Sequence, residues 1–177
     1  MDLEWFAIGA GTVVLLYIIY RFLQVLLNII GPYVIFQPID LHKKSGASWA
    51  VVTGATDGIG KSYSFELAHR GFNIFLVSRT ESKLEATKQE ILKKYPDVEV
   101  RIATYDFTNP SPAAYRELLS DLNEVNIGIL INNVGMFFEY PEEIHKVEGG
   151  IETLANVAIV NVLPPTLVSL FKIGISQ

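Results

Sequence analysis

The stretch "TGATDGIG", Thr53–Gly60, decides how this chain is read. It stands between an apolar run, "WAVV" (Trp49–Val52), and an alternating segment, "KSYSFELAHRG" (Lys61–Gly71). Glycines clustered where a β-rich run gives way to a helical one leave the backbone bare, so that a ligand can approach it closely. The N-terminus of the following helix adds unpaired N–H groups and a partial positive charge, a combination suited to phosphate.

Outward from this corner the chain alternates between strand and helix patterns. Gly71 is placed to stop the first helix after His69, and "NIFLVS" (Asn73–Ser78) reads as a second strand. "TESKLEATKQEILKKY" (Thr80–Tyr95) sets Leu84, Ile91 and Leu92 among charges, the pattern of an amphipathic helix opened by Thr80 or Ser82 and closed by Pro96. "VEVRIATYDF" (Val98–Phe107) alternates as a third strand, "AAYRELLSDL" (Ala113–Leu122) is helical, and "IGILINN" (Ile127–Asn133) reads as a buried-type strand. This order predicts an α/β fold: the N-terminal half of a doubly wound, parallel-sheet Rossmann domain over residues 46–177. Four strands are legible, and the strand at Gly128–Asn132 is expected to present an open edge.

Composition narrows the partners. The 177 residues hold 14 Lys and Arg against 19 Asp and Glu, a net charge of −5, and no long basic run, which argues against a nucleic-acid partner. Cysteine is absent, excluding disulfides and thiolate ligands, and His42, His69 and His145 match no metal-ligand spacing, so no metal site is expected.

The N-terminus belongs to a membrane. "WFAIGAGTVVLLYIIY" (Trp5–Tyr20) carries no charge; after Arg21, Phe22–Ile39 is again uncharged but is interrupted by Gln24, Asn28, Gly31-Pro32 and Pro38. A spanning helix needs about 20 apolar residues, and Arg21 can snorkel to the interface and extend the first run. Residues 1–40 therefore read as a membrane anchor, with the second run expected as a separate helix lying in the interface. Arg21, Lys43 and Lys44 follow the span and no base precedes it, which places the remainder in the cytosol.

Within the corner the spacing is Gly54-x-x-x-Gly58-x-Gly60. In a strand–loop–helix context it supplies a tight turn, close backbone approach to a pyrophosphate and room for helix to pack on strand. After the second strand, where a binder of the ribose 2′-hydroxyl would place an acid, stands Ser78-Arg79-Thr80, with Lys83 following. A guanidinium there suits a 2′-phosphate, so the cofactor reading is NADP(H).

Together "TGATDGIGKSYSFELAHRGFNIFLVSRTESKL" (Thr53–Leu84), Asp106 and "NNVG" (Asn132–Gly135) resemble the short-chain dehydrogenase/reductase family. With the apolar N-terminus, the chain is similar to its membrane-bound 17-beta-hydroxysteroid dehydrogenase and very-long-chain 3-oxoacyl-CoA reductase group. The resemblance implies that Thr53, Gly54, Thr56, Asp57, Gly58, Ile59 and Gly60 surround the pyrophosphate and that Ser78, Arg79 and Lys83 meet the adenosine ribose. It implies that Asp106 bonds the adenine and that Asn132, Asn133 and Gly135 border the ribose and nicotinamide. It also implies that Asn161 positions a water for proton relay, that the substrate is a lipid-like ketone (steroid or 3-oxoacyl-CoA), and that the protein resides in the endoplasmic reticulum membrane. "MFFEYPEEIHKV" (Met136–Val147) is apolar and aromatic enough to line a pocket for such a substrate, and reads equally as a packed loop. The family's catalytic Ser and Tyr-x-x-x-Lys should follow Asn161, yet none of the eight tyrosines has a lysine four positions on. The expectation is a truncated reductase, inactive alone, with a homo-oligomer or partner supplying the rest. The alternative is a non-catalytic, membrane-tethered nucleotide-binding or interaction protein.

The anchor is tested by alkaline carbonate. The chain should stay with microsomal membranes, and a glycosylation site engineered after Lys44 should remain unmodified; release into the supernatant, or glycosylation, contradicts the assignment.

Overall fold

The computed structural model describes residues 2–34, 39–138, 140 and 143–172. The chain falls into two units, Met1–Leu41 and His42–Gln177.

The first unit contains one helix, α1 (Asp2–Val34), rather than a span followed by a separate interfacial helix. Its 33 residues give a length of about 50 Å, more than the ~30 Å hydrocarbon core. Three local features let it run on. Arg21 donates from Nη1 to Gln24 Oε1 at 3.3 Å along the surface. Gln24 and Asn28 are compatible with a helix, and Pro32 falls in the last turn, where its missing N–H removes a single terminal bond. The segment Glu4–Pro32 is long and apolar enough to cross a membrane and is unburied within the structure.

A short helix, α2 (Leu41–Ser45), begins at the boundary, and the second unit continues with β1 (Trp49–Thr53), α3 (Gly58–His69), β2 (Asn73–Ser78), α4 (Glu81–Lys94), β3 (Val100–Thr104), α5 (Pro112–Asn123), β4 (Ile127–Ile131) and α6 (Gly150–Lys172), with a 3₁₀ turn at Ile144–Lys146. The four strands are parallel in the order β3-β2-β1-β4. β1 pairs with β2 in the register Trp49↔Asn73 to Thr53↔Val77, and β2 pairs with β3 from Ile74↔Val100. After β3 the chain returns past β2 to place β4 on the far side of β1. That reversal between β1 and β4 is the switch point at which open α/β sheets form a crevice.

Burial explains the apolar runs. All of β1 and all but the first residue of β2 are buried, because both faces are covered. Trp49, Val51, Phe75 and Val77 join Tyr105, Phe107, Tyr115, Leu118 and Leu122, with Val160 and Val168 of α6, in one cluster. The opposite alternation (Ala50, Val52, Ile74, Leu76) is equally buried on the side of α3 and α4, with Leu67, Leu84 and Ile91. β4 differs from the buried-type strand expected of it. Only Gly128 is buried, since no strand lies beyond β4 among the described residues. Helix punctuation follows the sequence: α3 ends with Gly71 at φ +85°, and α4 starts after Thr80, whose side chain makes no capping bond.

One feature of the core sets a pH limit. The rings of Tyr105 and Tyr115 lie 5.0 Å apart, and the buried Tyr115 hydroxyl has no hydrogen-bond partner among the described residues. Burial pushes both phenols above their ordinary range, Tyr105 further raised by Tyr115 beside it. The unfolded chain therefore releases these protons first, at pH about 10, and stability present below that pH is lost above it. We expect Tyr115→Phe to lessen the loss of stability between pH 9 and 11 without weakening the fold at pH 7, because it removes an unsatisfied buried hydroxyl. A circular-dichroism melt showing the same alkaline loss in both proteins would contradict this.

Candidate functional site

The glycine corner is held open by a clasp between β1 and β4. Thr53 Oγ1 donates to Ile131 O at 3.3 Å and accepts from the backbone N–H groups of Asn133 (3.0 Å) and Val134 (3.1 Å). That uses the full bonding capacity of the hydroxyl. In return, Asn133 Nδ2 donates to Thr53 O at 3.1 Å and to Gly54 O at 3.2 Å. Gly54 has φ +65°, and a Cβ there would lie 3.1 Å from Val134 Cα. A Cβ on Gly60 would run into Gly54 O and Asn133 Nδ2. The spacing of these two glycines is thus a packing requirement of the loop as well as an opening toward a ligand.

At the start of α3, Asp57 is the N-cap, and its Oδ1 accepts from Gly58 N at 2.7 Å. Gly58 sits at φ +52°, which turns the chain into the helix. The first-turn N–H groups beyond it, on Ile59 and Gly60, have no intrahelical acceptor. The Ile59 side chain points outward and is 70% exposed, so its part toward a ligand would be backbone alone.

A cavity of about 390 Å³ opens over this corner. Of the residues singled out by sequence, it brings together Gly54, Thr56, Asp57, Ser78, Arg79, Lys83, Asp106 and Gly135. Thr56 and Ser78 join their hydroxyls at 3.2 Å across the gap between the glycine loop and the end of β2. Arg79 and Lys83 are exposed and form no ion pair among the described residues. Asp106 Oδ1 accepts from Thr108 N at 3.0 Å and Thr108 Oγ1 at 2.9 Å, so it builds the turn after β3 while lining the cavity.

Thr53, Gly58, Ile59, Gly60, Asn132 and Asn133 stand outside the cavity lining. Thr53 and Asn133 are spent on the clasp. Asn132 Nδ2 instead donates to Ser169 Oγ on α6 at 2.9 Å. Asn161 also lies outside: its Oδ1 accepts from Met136 N at 3.2 Å, and its Nδ2 donates to Met136 O at 2.6 Å and Val157 O at 2.9 Å. Its amide therefore pins Met136, a wall of the cavity, rather than capping a break. α6 runs through Pro164 and Pro165, and Pro165 has no N–H to offer the Asn161 carbonyl, which leaves that oxygen without its helical donor. Sequence reading missed Thr80, Phe107, Thr108, Val134 and Val160 and gave Met136 to a substrate pocket; these six complete the lining. Phe107 could have been inferred as the neighbour of Asp106; Met136 and Val160 are set by contacts distant in sequence. Among the described residues, no group of acids and histidines could hold a metal ion.

Switch-point crevice, glycine corner and paired strand-end residues coincide with what comparison with known proteins finds. The family model for short chain dehydrogenases matches residues 48–170. The chain belongs to the short-chain dehydrogenase family. A very-long-chain 3-oxoacyl-CoA reductase of Caenorhabditis elegans is 63% identical over 96% of this chain and 54% of its own length. A protein of the same organism provisionally named steroid dehydrogenase 1 is 71% identical over the same shares. The chain spans about half the length of these curated relatives. Among solved structures, a short-chain dehydrogenase from Sphingobium yanoikuyae in complex with NADPH is 30% identical, with TM-score 0.59, over 70% of this chain and 46% of that one. A 7beta-hydroxysteroid dehydrogenase is 25% identical, with TM-score 0.64, over 76% of this chain and 50% of that one.

The clasp yields a direct test. Asn133→Ala removes two hydrogen bonds and leaves two carbonyls unpaired, and Gly60→Ala forces a methyl against the loop. Each is expected to cost about 1–3 kcal/mol, read as a lowered midpoint in urea. An unchanged midpoint for both would show that the clasp does not hold the corner.

Proposed function

We propose that residues 46–177 form the NADPH-binding half of an oxidoreductase that interconverts ketones and alcohols. The observation that carries this reading is the cationic pair Arg79 and Lys83 on the wall of the glycine-corner cavity, neither in an ion pair among the described residues. A dinucleotide fits the residues present. The bare backbone at Gly54 and the first-turn N–H groups of α3 would take the pyrophosphate. Asp106 and Phe107 would receive the adenine, and Arg79, Lys83 and the Thr56–Ser78 hydroxyl pair would take the 2′-phosphate. Val134, Gly135 and Met136 then face the nicotinamide end.

When bound, the reduced nicotinamide supplies hydride to a carbonyl carbon. This chain's residues bind and orient: the clasp fixes the floor of the crevice, and Asn161 holds Met136 as its wall. The carbonyl of Asn161, lacking a helical donor, would hold a water for proton relay. Hydride transfer builds negative charge on oxygen, and a positioned general acid contributes about 10²–10⁴-fold. No tyrosine in these 177 residues has the lysine that would tune it, and a neutral amide such as Asn161 delivers no proton at pH 7. We infer that the 177 residues bind the nucleotide without turning it over. The substrate class follows the relatives, 3-oxoacyl-CoA or steroid ketones, and the location is the endoplasmic reticulum membrane with the domain in the cytosol.

Fluorescence titration of the purified chain with NADPH and NADH tests the reading. NADPH should bind more tightly, and Arg79→Asp should weaken NADPH by about 10–100-fold, the worth of a charge-assisted hydrogen bond, while sparing NADH. Relative affinities unchanged by the substitution would overturn the assignment of Arg79. NADPH oxidation with either ketone class by the unmodified chain would show that the chemistry lies on residues not identified above.

A further inference from the structure

On the side away from β4 the sheet ends at β3, and two cavities lie along that strand. One, of about 350 Å³, is bounded by Lys88 of α4, by Val100–Ile102 and by Asp121 and Glu124 at the end of α5. The next, of about 270 Å³, runs beside Ala103–Asp106 with Glu117 and Asp121. Asp121 belongs to both, so they form one groove along β3. We infer that this groove binds an extended segment of a partner protein, bearing Lys or Arg at alternate positions, as a fifth strand of the sheet.

The backbone offers the pairing. Ile74 N donates to Glu99 O at 2.9 Å and Tyr105 N donates to Ser78 O at 2.9 Å. Alternation between these two bonds turns Arg101 and Ala103 toward β2. The N–H and C=O groups of Val100, Ile102 and Thr104 therefore face outward, where no strand lies among the described residues. Strand edges are commonly blunted by lysine, proline or a bulge. β3 contains no Lys or Pro, and its register with β2 runs unbroken from Val100 to Thr104. Its single charge, Arg101, lies over the Trp49 ring, 5.2 Å from the centroid, and is held by Glu99 at 2.9 Å and Glu124 at 3.3 Å.

Charge selects the occupant. Glu117, Asp121 and Glu124 are exposed and follow one another at spacings of four and three along α5 and its C-cap, beside the groove. Arg101 answers Glu124, whereas Glu117 and Asp121 form no ion pair among the described residues. Like charges four apart on a helix repel, and a cation set between them relieves the repulsion. α5 runs antiparallel to β3, because Glu124 meets Arg101 near the start of the strand and Glu117 lies beside its end. The carboxylates are spaced about 5–6 Å along the helix axis, close to the ~6.7 Å between same-face residues of a strand. An added strand turns alternate side chains toward α5, so every second residue would meet this stripe. The residues between would face Ile102 and Lys88, where a cation is disfavoured.

The same charges disfavour other occupants. Two copies joined edge to edge through β3 would set Glu117 and Asp121 of one against those of the other, and an anionic surface would meet the same repulsion. Asp106 is the one lining residue shared with the nucleotide cavity, so the peptide site stands whether or not a nucleotide is bound.

The test is fluorescence anisotropy of the full 177-residue chain in non-ionic detergent with a labelled peptide of alternating lysine and valine, seven residues long. It should bind at least tenfold more tightly than a peptide of the same composition with its lysines in one block. Methylating alternate backbone amides of the peptide should weaken binding at least tenfold in one frame and spare it in the other, since one frame alone faces β3. Glu117→Lys combined with Asp121→Lys should weaken binding at least tenfold. So should Thr104→Pro, which removes an outward N–H and no ladder bond. Circular-dichroism melts report folding of the variants, and the peptide series leaves the protein untouched. Equal binding of alternating and blocked peptides, or methylated frames that behave alike, would overturn the inference. So would affinity insensitive to the charge reversals in a folded chain, or a cross-linked dimer lost in Thr104→Pro, which would give the edge to a second copy.

Discussion

The structure of the second unit depends on the clasp between Thr53 and Asn133. Parallel strands pair through evenly spaced backbone bonds that stop where the strands stop, and β1 and β4 end at the crevice. Beyond their last paired residues the chain must turn toward α3 on one side and the Asn132–Gly135 segment on the other. Five hydrogen bonds between side chain and backbone bridge that gap. They hold a glycine loop, which by itself would lose much backbone entropy on ordering, in one shape. They also tie that shape to β4, beyond which no strand lies among the described residues.

Two consequences follow from placing a clasp at a switch point. Polar groups that would otherwise be buried without partners are satisfied inside the protein, so the outward-facing N–H groups of α3 are left for an anion. The wall opposite is fixed by a second amide, Asn161, whose three bonds reach from α6 to Met136 and its own helix. Two asparagines therefore shape the crevice without lining it, and the residues that do line it are spared for a ligand.

The four strands and the helices between them were legible in the sequence because each signal was local. β1 and β2 are continuous apolar runs, Gly71 and Pro96 mark where helices end, and the glycine corner announces the turn. Strand-end residues, Arg79 and Asp106, were equally legible, since position relative to a strand places them at the crevice. What was not legible depended on long-range pairing. Asn132 and Asn133 sit side by side in sequence, yet one bonds Ser169 and the other Thr53 and Gly54, a choice made only once α6 and β1 are in place. Polar interruptions in the N-terminal segment suggested two helices, but Gln24 and Asn28 do not break a helix and Pro32 comes too late to do so.

The central claim is that the glycine corner and the strand-end cations form a single nucleotide site. Hydrogen–deuterium exchange of the full chain with and without NADPH tests it most directly. The account predicts slowed exchange in residues 54–61, 78–84 and 106–109 together, with α5 unchanged. Protection confined to α6, or none at saturating nucleotide, would contradict it.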